Sequence, residues 1–269
     1  MIKFSCAAFS NVGKYRENNE DNFYVNGRYR EFNELKIDSY IDRDEHPQYL
    51  YAVCDGMGGE KFGELASMIA VEHLSEIQTT DVTLTIQDYI RSTNEQICNE
   101  INKNNGTRIG TTLALLYINQ KKAIVYNIGD SRVYLYRKGK LTQLSKDHTQ
   151  AQQLVEMGVI EQNQAMKHKA KHQLTQHLGI FPEELIIEPF ISKEISVKRN
   201  DLFLLCSDGL TDMVGEDELR MILSDHKKDV EVIANELVVS ALNHGGKDNV
   251  TSIVVKADES RAFLAKHFF

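Results

Sequence analysis

Between residues 111 and 144 the chain reads as four β-rich apolar runs in close succession: 111–118 (TTLALLYI), 122–128 (KAIVYNI), 132–137 (RVYLYR) and 140–144 (KLTQL). They are separated by Asn119-Gln120, Gly129-Asp130-Ser131 and Lys138-Gly139. Connections that short cannot house a crossover helix, so the four strands are expected to be antiparallel neighbours. Further strands are predicted over 4–9, 22–26, 49–54, 185–190, 201–206 and 250–256. A helical face runs from Phe62 through Leu65, Ala66, Ile69, Ala70, His73, Leu74 and Ile77. Other helices are expected at about 84–103 and 229–243. A short one at 216–224 opens with Glu216 and Asp217, which suit the positive helix end. Long helices need a sheet face to cover, and the layered solution is an antiparallel α+β domain with helices outside the sheets. Two segments break the pattern. Residues 145–184 read as an excursion of short polar helices (146–157, 161–167 and 172–178), and the charged 27–48 stretch as a long hairpin or loop outside the core.

Composition narrows the function classes. With 42% apolar residues and 3 prolines in 269 residues, the chain is expected to collapse into a core. A net charge of −8 argues against nucleic acid or an anionic membrane surface as partner. No run approaches the eighteen or so apolar residues of a membrane span, and the first residues lack the apolar core of a secretory signal. Cys6, Cys54, Cys98 and Cys206 are far apart without a C-x-x-C, as expected of reduced thiols in a cytoplasmic protein. Cys54 and Cys206 are expected as buried strand thiols.

Aspartates flank the core strands repeatedly. The run 49–54 ends in Asp55-Gly56, 123–128 in Gly129-Asp130, and 202–206 in Ser207-Asp208-Gly209. Gly246-Lys247-Asp248-Asn249 leads into the last strand, and Glu20-Asp21 precedes 23–25. One Asp-Gly after a strand is a turn signal. Five acidic turns on five core strands would gather mutually repelling carboxylates, and near them only Arg16 and Arg132 offer relief. Divalent cations are the natural remedy. All-oxygen ligands point to hard ions, Mg2+ or Mn2+, rather than zinc or copper. Arg16, four residues before Glu20, adds a planar fork for an oxyanion, which suits a phosphoester.

These pieces, in order, are Arg16 with Asn19-Glu20-Asp21; Asp55-Gly56-Met57-Gly58-Gly59; Gly110-Thr111-Thr112; Gly129-Asp130-Ser131-Arg132; Ser207-Asp208-Gly209-Leu210; and Gly246-Lys247-Asp248-Asn249-Val250-Thr251. Together the sequence resembles the metal-dependent protein serine/threonine phosphatases of the type 2C (PPM) family, in their compact bacterial form. The resemblance implies one phosphatase domain over 1–269, a four-layer αββα sandwich of two antiparallel sheets, with a flap subdomain at about 145–184. It implies two tightly held Mn2+ or Mg2+ ions and a weaker third. Asp55 would bridge two metals, the Gly56 carbonyl would ligate one, and Asp208 and Asp248 would hold the other. Asp130 with Asp208 would take the third. Glu20 and Asp21 would act through waters, with Asn249 beside them, and Arg16 would grip the phosphate. Hydrolysis would proceed by in-line attack of water on phosphorus without a covalent phospho-enzyme. Phosphorylated proteins would be the substrates, opposing a serine/threonine kinase, and a monomer is expected.

The sequence departs from the family in places. Met57 stands where animal members place a histidine, so the leaving-group proton is expected from a metal-bound water or from the substrate. In the flap, Lys169, Lys171, His172 and Gln176 stand where relatives tend to show proline, arginine, asparagine and arginine. His168 and His172 are spaced i, i+4, but the lysine-rich setting makes solvated flap residues the better reading. Other phosphatase chemistries are disfavoured. No cysteine has an arginine six positions on, Asp42-Arg43-Asp44 sits in a charged stretch rather than at a strand end, and no Walker loop occurs. Two alternatives differ in kind or in client: a catalytically silent phosphoprotein-binding module of the same fold, and a phosphatase dedicated to one phosphoserine partner.

Overall fold

The computed structural model describes residues 2–31, 37–58, 62–77, 82–225 and 228–259. In chain order come β1 (Ile2–Asn11), β2 (Asp21–Val25), β3 (Arg28–Tyr29), β4 (Ile37–Asp42) and β5 (Tyr49–Met57), then α1 (Gly63–Ser75) and α2 (Val82–Lys103). The central meander is β6 (Gly110–Thr111), β7 (Leu113–Asn119), β8 (Lys122–Ile128), β9 (Arg132–Arg137) and β10 (Lys140–Gln143). The excursion carries α3 (Gln150–Glu156) and α4 (Gln162–Ala165). After it follow β11 (Phe190–Ile191), β12 (Ile195–Ser196), β13 (Leu202–Cys206), α5 (Asp208–Thr211), α6 (Glu216–Ser224), α7 (Val230–Asn243) and β14 (Val250–Glu259).

Among the described residues one sheet has the order β10-β9-β13-β14-β1-β4 and the other β11-β8-β7-β5-β2-β3, with β12 on β8 and β6 on β5. Between the sheets lies a core that includes Phe4, Phe23, Tyr51, Val53, Leu116, Val125, Phe203 and Ile253. Strand alternation sends the intervening residues outward, where helices cover them. Ala52, Cys54 and Leu115 pack under α1 and α2, and Leu204, Cys206 and Val254 under α6 and α7. A strand covered on both faces reads as a continuous apolar run, which is why 49–54 and 202–206 show no alternation. The four-layer αββα sandwich is therefore as expected, and all four cysteines are buried and free.

The short connections behave unequally. β7 pairs with β8 and β9 with β10, but β8 and β9 lie in different sheets and do not pair. The expectation that all four strands are neighbours is thus corrected at Gly129-Asp130-Ser131, where the chain steps across the sandwich. Ser131 is fixed there by its hydroxyl contact with Thr112 at 2.7 Å. The run 111–118 is likewise broken, because Thr112 leaves the ladder and donates its backbone N–H to Asp55 O at 2.9 Å.

Three other expectations change. Residues 172–178 form no helix; their amides are used elsewhere, Thr175 N donating to His148 O and Leu178 N to Thr111 O. Residues 185–189 form no strand, since pairing with β8 begins at Phe190. The charged 27–48 segment contributes edge strands to both sheets, β3 on β2 and β4 on β1. Among its described residues two charges are buried: Arg30 at 2% exposure and Asp42 at 5%. Burial is tolerated because each is hydrogen-bonded. Arg30 donates to the carbonyls of Asn19 and Asp21, and Asp42 accepts from Asn26 and the His46 ring.

At the site end of the sandwich, backbones approach closely. A Cβ on Gly209, in α5, would lie 2.0 Å from Asn249 O. Gly209→Ala is expected to destabilise the fold by about 1–3 kcal/mol through this overpacking. Thermal denaturation checks it; an unchanged melting temperature would contradict the close approach.

Candidate metal and phosphate site

Strand pairing brings the acidic turns together at one end. Asp21 opens β2 and lies directly opposite Asp55 in β5. A directly opposed antiparallel pair projects to the same face, about 5 Å apart. Asp130 sits in the crossover between the sheets, Asp208 is the second residue after β13 and opens α5, and Asp248 lies two residues before β14. Gly56 follows Asp55, and its N–H donates to Glu20 O at 3.1 Å. A Cβ there would stand 2.2 Å from Gly63 O and 2.6 Å from Glu20 O, so α1 packs this closely only against glycine.

Asn249 ties the N-terminal loop to this end. Its Oδ1 accepts from Glu20 N at 2.8 Å, while its Nδ2 donates to Val12 O and Asn18 O, each at 2.9 Å. Ser207 Oγ donates to Asp21 Oδ2 at 2.7 Å and accepts from Thr251 N at 3.0 Å. Arg30 grips the Asn19–Asp21 backbone from behind. Nothing near Arg30 in the chain reveals that its partners are main-chain carbonyls.

The electrostatics are those of crowded like charges. Burial, then Asp21, Asp208, Asp130 and Asp248 in turn, push the Asp55 carboxyl well above its ordinary range. Asp130 is raised by burial and by Asp208 and Asp147, with Arg132 opposing. Asp21 is pushed up to about 7, chiefly by burial. Its Oδ1 is buried without a hydrogen-bond partner. Burial also raises Glu20, against the opposing pull of Arg16.

The two expected arginines give limited relief. Arg132 is committed to Asp147, with contacts of 2.6–3.1 Å. Arg16 donates to Asp248 Oδ2 at 2.8 Å and is about half exposed. An orphaned buried carboxylate oxygen and three carboxyls raised by burial and by neighbouring carboxylates form an all-oxygen set that fits hard divalent cations.

The acids face an open cleft of about 1000 Å³ whose walls include Arg16, Glu20, Asp55, Gly56, Asp130, Asp208 and Asp248. The excursion at 145–184 closes one side of it through Lys171, His172 and Leu174. His172 is exposed, as expected of a flap residue, but it is not free of partners. Its ring lies against Asp208 and Asp212, at 3.4 and 3.2 Å, and these carboxylates raise its pKa. Lys171 Nζ donates to Asp212 at 2.9 Å. His168 stays apart, its Nδ1 accepting from Ala170 N.

The family model described as "Protein phosphatase 2C" matches residues 9–250. The chain belongs to the protein phosphatase 2C family. It is 34% identical over 241 residues to the serine/threonine phosphatase stp of Listeria monocytogenes, covering 86% of this chain and 93% of that one. It is also similar to the crystal structure of the Mycobacterium tuberculosis serine/threonine phosphatase PstP/Ppp, with a TM-score of 0.79 and 30% identity over 96% of this chain and 100% of that one. The catalytic domain of PstP in complex with two manganese ions matches with a TM-score of 0.77 and 30% identity, over 96% of this chain and 100% of that one. Among the described residues of this protein phosphatase 2C chain, no helix is long and apolar enough to cross a membrane.

A carboxyl with a raised folded-state pKa stabilises the fold at low pH, and that share is lost as pH rises through the folded value. For Asp21 the window runs from its ordinary 3.8 to about 7. In chelator, the wild-type protein is therefore expected to lose more stability between about pH 5 and pH 8 than Asp21→Asn does, and added Mn2+ to narrow the difference. Thermal denaturation across that range checks it; parallel curves would contradict the burden assigned to Asp21.

Proposed function

We propose that this metal-dependent serine/threonine phosphatase works through two divalent ions, Mn2+ or Mg2+, held by Asp55, the Gly56 carbonyl, Asp208 and Asp248, with Asp130 and Asp208 available to a weaker third. The observation that carries the residue assignment is the meeting of five strand-end aspartates at one end of the sandwich, with a cleft in front and Arg16 at its rim. When bound, such ions offset charge on phosphoryl oxygens and make water a nucleophile at neutral pH. No covalent phospho-enzyme is needed.

The chain's own groups do the rest. Once the charge on Asp248 is offset, the Arg16 fork is free to take two phosphoryl oxygens. Glu20 and Asp21 accept hydrogen bonds from ordered water, and Asn249 and Ser207 hold them in place. Lys171 joins Lys167 and Lys169 on the flap, giving an anionic substrate a basic approach to an otherwise acidic molecule. Met57 carries no proton to give, so the leaving oxygen takes its proton from water or from the substrate.

Both sheets donate site residues, so neither half could carry the chemistry alone, which supports one phosphatase domain across 1–269 with the flap at about 145–184. The natural clients in this reading are phosphorylated proteins, including a serine/threonine kinase and its substrates. The protein would act as a cytoplasmic monomer. A silent binding module is disfavoured because Asp55, Asp208 and Asp248 are all in place.

Asp208→Asn is expected to fold normally and to lose Mn2+-dependent hydrolysis of p-nitrophenyl phosphate by roughly 10²–10³-fold, comparable with removing another charge-stabilising group; full residual activity would reject the assignment. Arg16→Ala is expected to raise KM about tenfold, the worth of one charge-assisted hydrogen bond, with a smaller effect on kcat. A loss confined to kcat would give the arginine another role.

A further inference from the structure

The flap places a nitrogen donor among the carboxylates. Single ligand atoms of Asp130, His172 and Asp208 lie within 4.8 Å of one another. The His172 ring is half exposed and is held on one side by carboxylates. Its Nε2 is 3.2 Å from Asp212 Oδ2, and its Nδ1 turns toward Asp208 Oδ2 at 3.4 Å. Asp212 is itself anchored by Lys171 Nζ at 2.9 Å. With Nε2 anchored on Asp212, Nδ1 is the nitrogen that faces Asp208, and a cation bound there would take the place of its proton; metal-ligating histidines are oriented in this way. The second observation lies opposite the ring. Asp130 is only 9% exposed, and among the described residues no other residue donates a hydrogen bond to its carboxylate. It faces the same small recess as His172, Asp208 and Asp212.

We propose that His172 Nδ1 completes, with Asp130 and Asp208, a mixed nitrogen–oxygen site for Mn2+, making the flap a ligand donor rather than a passive wall. This rests on the metal-site reading above and extends it to a residue outside the carboxylate set. An imidazole donor favours Mn2+ over Mg2+, which prefers oxygen. Occupancy of this site would tie residues 171–172 of the flap to the strand ends that carry Asp130 and Asp208. Asp212 acts as a positioning residue.

The direct test is pulsed EPR on the full chain loaded with Mn2+, which registers a nitrogen bonded to the metal, together with calorimetric titration. The wild type is expected to show imidazole nitrogen modulation at saturating Mn2+ and the His172→Asn variant to lose it. Calorimetry is expected to show the weakest Mn2+ site in His172→Asn weakened roughly tenfold or more, with the tight sites retained. Mg2+ titrations of the two proteins should differ far less. Nitrogen modulation that persists in His172→Asn, or that is absent from Mn2+-saturated wild type, overturns the histidine ligand while leaving the metal-site reading intact. A wild type that binds no Mn2+ at all overturns both.

Discussion

Mutual repulsion of carboxylates at one end of the sandwich is the constraint around which this molecule is organised. Asp21 and Asp55 face each other across a strand pair, and Asp130, Asp208 and Asp248 enter from both sheets. Nothing in a folding core favours that arrangement by itself. Buried like charges cost stability, and here the cost shows as carboxyls held well above their usual range. Such a site persists because its surroundings over-determine it. Asn249, Ser207, Arg30 and Gly56 each bind backbone or carboxylate groups that would otherwise move apart.

The layers explain why the site lies where it does. Two inner sheets pack face to face and leave their strand ends open, while helices seal the outer faces. The step from β8 to β9 is a three-residue connection that changes sheets, and it delivers Asp130 to the gap between them. The flap then covers one flank, and its basic residues pair with the acids beneath, Lys171 and His172 with Asp212 and His172 with Asp208. Charge at the mouth of the cleft is therefore mixed, which suits a phosphate approaching from solvent.

Much of this was legible in the residues. Apolar runs ending in aspartate located the acidic turns, and β8, β9 and α6 fall on the boundaries their patterns predict. What failed has a common cause: the pattern of one segment does not reveal which distant segment it meets. The Gly129–Ser131 connection has the length of a hairpin yet crosses between sheets. Residues 172–178 have helix-compatible composition yet give their amides to Thr111 and His148. Arg30 and Asp42 look like surface charges because their partners, main-chain carbonyls and a histidine ring among them, carry no local signature. His172 is exposed, as its lysine-rich neighbourhood suggests, but its contacts lie 36 and 40 residues onward at Asp208 and Asp212 and leave no local trace.

Anomalous diffraction at the manganese edge, from crystals grown in excess Mn2+, tests the central claim most directly. The account predicts strong peaks ligated by Asp55, the Gly56 carbonyl, Asp208 and Asp248, with the Arg16 guanidinium released from Asp248 toward the cleft. Absence of those peaks at saturating manganese, with Arg16 still bound to Asp248 and His172 to Asp208, would show that the acids are balanced by basic side chains instead and would contradict it.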